Sequence, residues 1–160
     1  MIMIADVYIE TSIHWNQVKD GVVGIAISTE DPENAKSFFG KVNKCSESAA
    51  VLYGLKNALR YLDQAEDICI NISCKPVANA FMNGWFTRWQ IDEFKTKKGV
   101  DIQNRDIWED ISRLLKGRKV IVKFKEFNGY RNWLKAECAR RALKYESPVR
   151  RNLSSRKAKI

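Results

Sequence analysis

The 160-residue sequence has a single histidine, His14, and little around it that could build chemistry. It contains no Walker loop, no GxGxxG and no His/Cys ligand spacing, and nothing near His14 forms a nucleophilic triad. His14 therefore reads as a surface residue of a first turn. The four cysteines, Cys45, Cys69, Cys74 and Cys138, include no CxxC pair, and Cys69 and Cys74 lie five positions apart along or just beyond a probable strand. That usage argues for reduced thiols in a cytoplasmic setting and against zinc. Nothing suggests a membrane. Met1 to Ile9 is too short for a secretory leader and lacks both a charged start and a small-residue cleavage site. No internal repeat or interdomain linker is evident.

What is present suits one folded domain: the length allows an independent core, and 45% of the residues are hydrophobic. The net charge is +9, but residues 140–160 carry eight Lys/Arg against Glu146 alone, leaving 20 basic and 18 acidic residues for positions 1–139. Long-range attraction to polyanions is thus concentrated at the C-terminus and, locally, in the cluster of Lys95, Lys97 and Lys98. The expected division is a folded domain over residues 1–147 and a flexible basic tail over 148–160.

Residues Ile4 to Ser12 suit a strand ending near Glu10, Asn16 to Gly21 supplies a turn, and Val22 to Ser28 reads as the second arm of a hairpin. Asp31-Pro32 marks another turn before a third strand over Lys36 to Val42. Ser46 or Ser48 caps a helix to about Leu62, with Val51, Leu52, Leu55, Ala58, Leu59 and Leu62 on one apolar face. Asp67 to Ser73 alternates Ile68, Ile70 and Ile72 as a strand, and Pro76 opens a helix continuing through Phe81 to Trp89. A helix over Arg105 to Leu115, a strand over Lys119 to Phe124 and a final helix over Trp133 to Tyr145 complete the order. Three strands, then helix, strand, helices, strand and helix demand a mixed sheet with helical cover.

The most distinctive stretch runs from Trp85 to Trp108. Trp85, Trp89 and Phe94 precede Lys95, Thr96, Lys97 and Lys98, and Asn104, Asp106 and Trp108 then open a new helix. Rings that stack and cations that meet phosphates are what a nucleic-acid groove needs. The plainer alternative is two core helices joined by a solvated basic loop. This pattern resembles the basic handle of type 1 ribonuclease H: two tryptophans, a third aromatic, Lys-Thr, then Asn-x-Asp-Leu-Trp. The resemblance extends more weakly over roughly residues 4–145. It implies an α/β ribonuclease H-like fold, a five-stranded mixed sheet with helices on both faces and a basic handle.

The resemblance also implies four metal-binding carboxylates, because two-metal phosphodiester hydrolysis holds two divalent cations about 4 Å apart against the phosphate. In the first-strand motif Ile9-Glu10-Thr11-Ser12, Glu10 replaces the family aspartate, one methylene longer. The first-helix glutamate falls at Val51, with Glu47 one turn earlier, and the fourth-strand Asp-Ser-Lys reads Ser73-Cys74-Lys75. On the last helix, Ala136-Glu137 stands for Ala-Asp, and the loop histidine of Gly-His-x-Gly is Phe127. Val51 cannot bind a metal, and a neutral Ser73 is a poor ligand for magnesium.

The resulting expectation is a nucleic-acid-binding ribonuclease H-like protein that recognises an RNA:DNA hybrid or structured RNA, with catalysis lost or severely reduced and no cofactor. Its binding residues would be Ser46, Trp85, Trp89, Lys95, Lys97, Lys98 and Asn104, since an A-form-like duplex is read by shape and 2'-OH groups. One alternative is an active ribonuclease H using magnesium or manganese, with a rearranged catalytic set of Glu10, Glu137 and Glu47 and the metal on Glu10 and Glu137. Another is a regulatory module that grips a protein or ribonucleoprotein partner.

Overall fold

The computed structural model describes residues 4–29, 35–62, 67–124 and 129–144. The Asp31-Pro32 turn, Phe127, Tyr145 and the tail over 148–160 lie outside the described residues. Five strands form one sheet in the order β3-β2-β1-β4-β5. They are β1 (Ile4–Thr11), β2 (Val18–Ser28), β3 (Lys36–Ser46), β4 (Asp67–Ile72) and β5 (Lys119–Phe124). The first three form an antiparallel meander, whereas β4 joins β1 in parallel and β5 joins β4 in parallel. The helices are α1 (Glu47–Tyr61), α2 (Lys75–Met82), α3 (Trp85–Ile91), α4 (Arg105–Leu115) and α5 (Gly129–Lys144).

Alternation along β1 decides which face each helix covers. Ala5, Val7 and Ile9 are fully buried on one side, while Tyr8 and Glu10 point to the other. α1 covers the first side. Its stripe of Val51, Leu52, Leu55, Ala58 and Leu59 is buried, and a full leucine burial stabilises by about 1.5–3 kcal/mol. Gly54 lets α1 approach closely, because a Cβ there would lie 2.8 Å from Val23 and 2.9 Å from Ile9. Across the sheet, Tyr8 stacks on Tyr130 of α5 at 5.5 Å between ring centroids. Leu134 and Cys138 are fully buried on the inner face of α5. Gly24 opposes Glu10 in β2, and its missing side chain makes room for the Cys138 sulfur.

Four element boundaries differ from the sequence reading. The hairpin turn is shorter than Asn16 to Gly21, because β2 already begins at Val18 and accommodates an irregularity between Lys19 and Gly21. β3 continues past Val42 to Ser46, where Ser46 Oγ accepts the Ala49 N–H and ends the strand by capping α1. The helix expected to continue from Pro76 to Trp89 is two helices, broken where Gly84 adopts φ 73°. Finally, α5 starts at Gly129 rather than Trp133, a shift that brings Arg131 onto the helix.

Candidate functional site

The ends of β1 and β4, the start of α1 and the first half of α5 converge at one end of the sheet. Glu10, the penultimate residue of β1, is 3% exposed. Ser73 follows β4 directly, and its hydroxyl donates to Glu10 Oε2 at 2.7 Å and to Oε1 at 3.0 Å. Arg131 of α5 places Nε 3.6 Å from Glu10 Oε1. Burial pushes the Glu10 carboxyl above its ordinary 4.5; the Ser73 hydrogen bond and the Arg131 and Lys135 charges oppose this, while the Glu47 charge adds to it. Glu10 and Glu47 are therefore electrostatic neighbours.

Glu137, further along α5, is paired within its own helix. Its carboxylate accepts from Arg141 Nε at 3.0 Å and from Arg140 Nε at 3.0 Å, with a further contact from the Arg140 NH2 group. These arginines hold its carboxyl down at about 2. Val51 is 2% exposed within the α1 core stripe. Among the described residues no three His, Cys, Asp or Glu side chains gather where a metal could be held. The donor set fits a two-metal centre poorly: the oxygens of Glu10 face a hydroxyl and a guanidinium, and those of Glu137 face two guanidinium groups.

All four cysteines are buried free thiols. Burial, reinforced by the Glu10 charge, pushes Cys138 up to about 12, and burial likewise takes Cys74 to about 12. His14 is exposed in the β1–β2 turn, where its backbone N–H donates to Gln17 Oε1 at 3.2 Å.

The second part of the site is the segment joining α3 to α4. Glu93 and Phe94 turn the chain with φ 56° and 59°, and Phe94 is buried beneath the reversal. A bridge between Lys95 and Asp101 then closes a small loop, in which the Thr96 N–H donates to the Val100 carbonyl at 2.7 Å. Lys95, Lys97 and Lys98 are all exposed on it. Arg105 secures its base by donating to Asp101 and, at 2.6 Å, to Glu109.

The two tryptophans of this segment differ in role. Trp89 packs edge-on against buried Trp108 at 5.3 Å, as part of a cluster with Phe81 and Phe86. Trp85 remains 44% exposed. Both line a cleft of about 180 Å³ together with Ser48, Gln103 and Asn104. Asn104 begins α4 in the left-handed region at φ 61° without capping it through its side chain. Ser46 is occupied in capping α1, and it is Ser48 that faces the cleft.

Sequence reasoning missed Arg131 and Lys135. Their four-residue spacing puts both on one helical face, in line with Cys138, but that signal depends on α5 beginning at Gly129.

No family model matches the chain. Among curated proteins it is similar to ribonuclease H of Chlorobium chlorochromatii, 35% identical over 74 residues, covering 44% of this chain and 50% of that protein. It also resembles ribonuclease H of Clostridium botulinum, 29% identical over 112 residues, covering 69% of this chain and 71% of the relative. The chain thus spans half the length of the Chlorobium relative it matches. Among solved structures, LC9-RNase H1, a type 1 RNase H with the type 2 active-site motif, superimposes with a TM-score of 0.71 at 14% identity over 92% of this chain and 76% of that one. The foamy viral protease-reverse transcriptase in complex with RNA/DNA hybrid gives 0.60 at 11% identity, over 86% of this chain and 19% of that one. The chain has a ribonuclease H-like fold.

Proposed function

We propose that this chain binds nucleic acid, an RNA:DNA hybrid or structured RNA, and that hydrolysis is lost or severely reduced. The observation that carries this reading is the contrast between the two parts of the site. At the end of β1, Ser73 and Arg131 engage the buried Glu10 carboxylate, and Val51 is committed to the core. On the α3–α4 segment, three exposed lysines accompany a half-exposed Trp85 beside the Asn104 cleft. Cations that meet phosphates and a flat ring beside polar groups suit duplex binding by shape. The foamy viral neighbour, whose structure includes an RNA/DNA hybrid, supports the choice of substrate class.

Loss of ligands from a two-metal centre removes its means of activating water and stabilising the leaving oxygen. The test is binding and cleavage of labelled hybrid, duplex RNA and duplex DNA, side by side, with magnesium and with manganese. Binding of hybrid or RNA with little or no cleavage is the expected result. Robust turnover that disappears in Glu10→Gln would overturn the loss of hydrolysis. Absence of binding to all three would overturn the nucleic-acid reading and favour a protein partner.

A further inference from the structure

Glu10 is a buried carboxylate whose positive neighbours come from the protein itself. Arg131 approaches it to 3.6 Å with a side chain 19% exposed, and Lys135 stands one helical turn further along α5, exposed to solvent. Both charges bear on Glu10. The helix that carries them is fixed by the Tyr8–Tyr130 stack and by buried Leu134 and Cys138. Glu10 thus feels the charges of two cations, Arg131 and Lys135, and of one further carboxylate, Glu47. A cluster of carboxylates would repel a phosphodiester until divalent metals reversed its charge. Here α5 supplies two cations that offset the two carboxylate charges.

We propose that Arg131 and Lys135 form a metal-free seat for one backbone phosphate of a bound nucleic acid at the end of β1. Glu10, itself tied by the Ser73 hydroxyl, holds the Arg131 guanidinium in place, and the exposed ammonium of Lys135 meets the phosphate oxygens. Arg131 presents a fork of donors suited to sharing between a carboxylate and a phosphate. The seat rests on the nucleic-acid reading above and adds to it a location and independence from divalent metal.

The experiment is fluorescence anisotropy of a labelled RNA:DNA hybrid with the full chain, in EDTA and in magnesium, across a salt series. Parent, Lys135→Gln, Arg131→Lys and Arg131→Gln/Lys135→Gln proteins are compared, with circular dichroism reporting the fold. The parent should bind equally well in both media. Lys135→Gln should weaken binding about tenfold, as expected for a hydrogen bond to a charged group, and should make the salt slope shallower by about one. Arg131→Lys should retain more affinity than the double variant. Should the double variant fail to fold, Lys135→Gln decides, since that side chain is exposed. Parental affinity and slope in folded Lys135→Gln, or a gain of about tenfold or more in parent affinity on replacing EDTA by magnesium, would refute the seat while leaving nucleic-acid binding intact. A parent that binds no nucleic acid refutes both.

Discussion

The Ser73 hydroxyl donates to both carboxylate oxygens of Glu10, at 2.7 Å and 3.0 Å, and so ties the end of β4 to the end of β1. A hydrogen bond to a charged acceptor contributes about 1.5–3 kcal/mol, and leaving a buried carboxylate without it costs a similar amount. Ser73→Ala should therefore lower stability at neutral pH by that amount in urea denaturation. A variant as stable as the parent would mean that water replaces the hydroxyl without loss.

Glu10 should give stability an unusual pH dependence. Burial raises its folded value above 4.5, so the native state binds this proton more tightly than the unfolded chain. The contribution is fully present below about pH 4.5 and is lost as pH rises through the folded value. The stability of Glu10→Gln minus that of the parent should grow with pH above 4.5 and then level off. A difference that shrinks over this range would show that Arg131 and Ser73 outweigh burial.

Glu137 should behave with the opposite sign. Arg140 and Arg141 lower its value from 4.5 to about 2, so its stabilisation is present above 4.5 and disappears as pH falls through about 2. Denaturation curves of Glu137→Gln and parent should separate at neutral pH and converge in acid. Added salt should narrow the gap, because both arginines are substantially exposed.

Gly24→Ala tests how closely α5 docks. A Cβ there would stand 2.7 Å from Cys138 Sγ and 2.9 Å from the Phe39 ring, so α5 or β3 must shift. The expected loss is about 1–3 kcal/mol, the usual cost of overpacking. Combining it with Cys138→Ala should cost less than the sum of the two single changes, because one of the clashing atoms is removed. Strict additivity in a double-mutant cycle would place the clash on Phe39 alone.

Much of the architecture was legible in the chain. Ile68, Ile70 and Ile72 marked β4, the Val51 to Leu62 stripe marked the buried face of α1, and the Trp85 to Trp108 spacing pointed to the α3–α4 segment. These are short-range patterns, set by the periods of strand and helix. The resemblance to type 1 ribonuclease H, rather than any period, placed Glu10, Ser73 and Val51 at the positions where ligands were expected. What they could not tell is which of those groups meet.

Only the tertiary structure decided that Ser73 and Glu10, 63 positions apart, share a hydrogen bond, and that Arg131 reaches the same carboxylate. It separated Trp85 from Trp89, leaving the first half-exposed and packing the second on Trp108. Residue types and spacing determine the elements because backbone geometry repeats locally. The charge balance around Glu10 depends instead on the parallel pairing of β1 with β4 and on the seating of α5 over Gly24, contacts that exist only once the distant segments have packed.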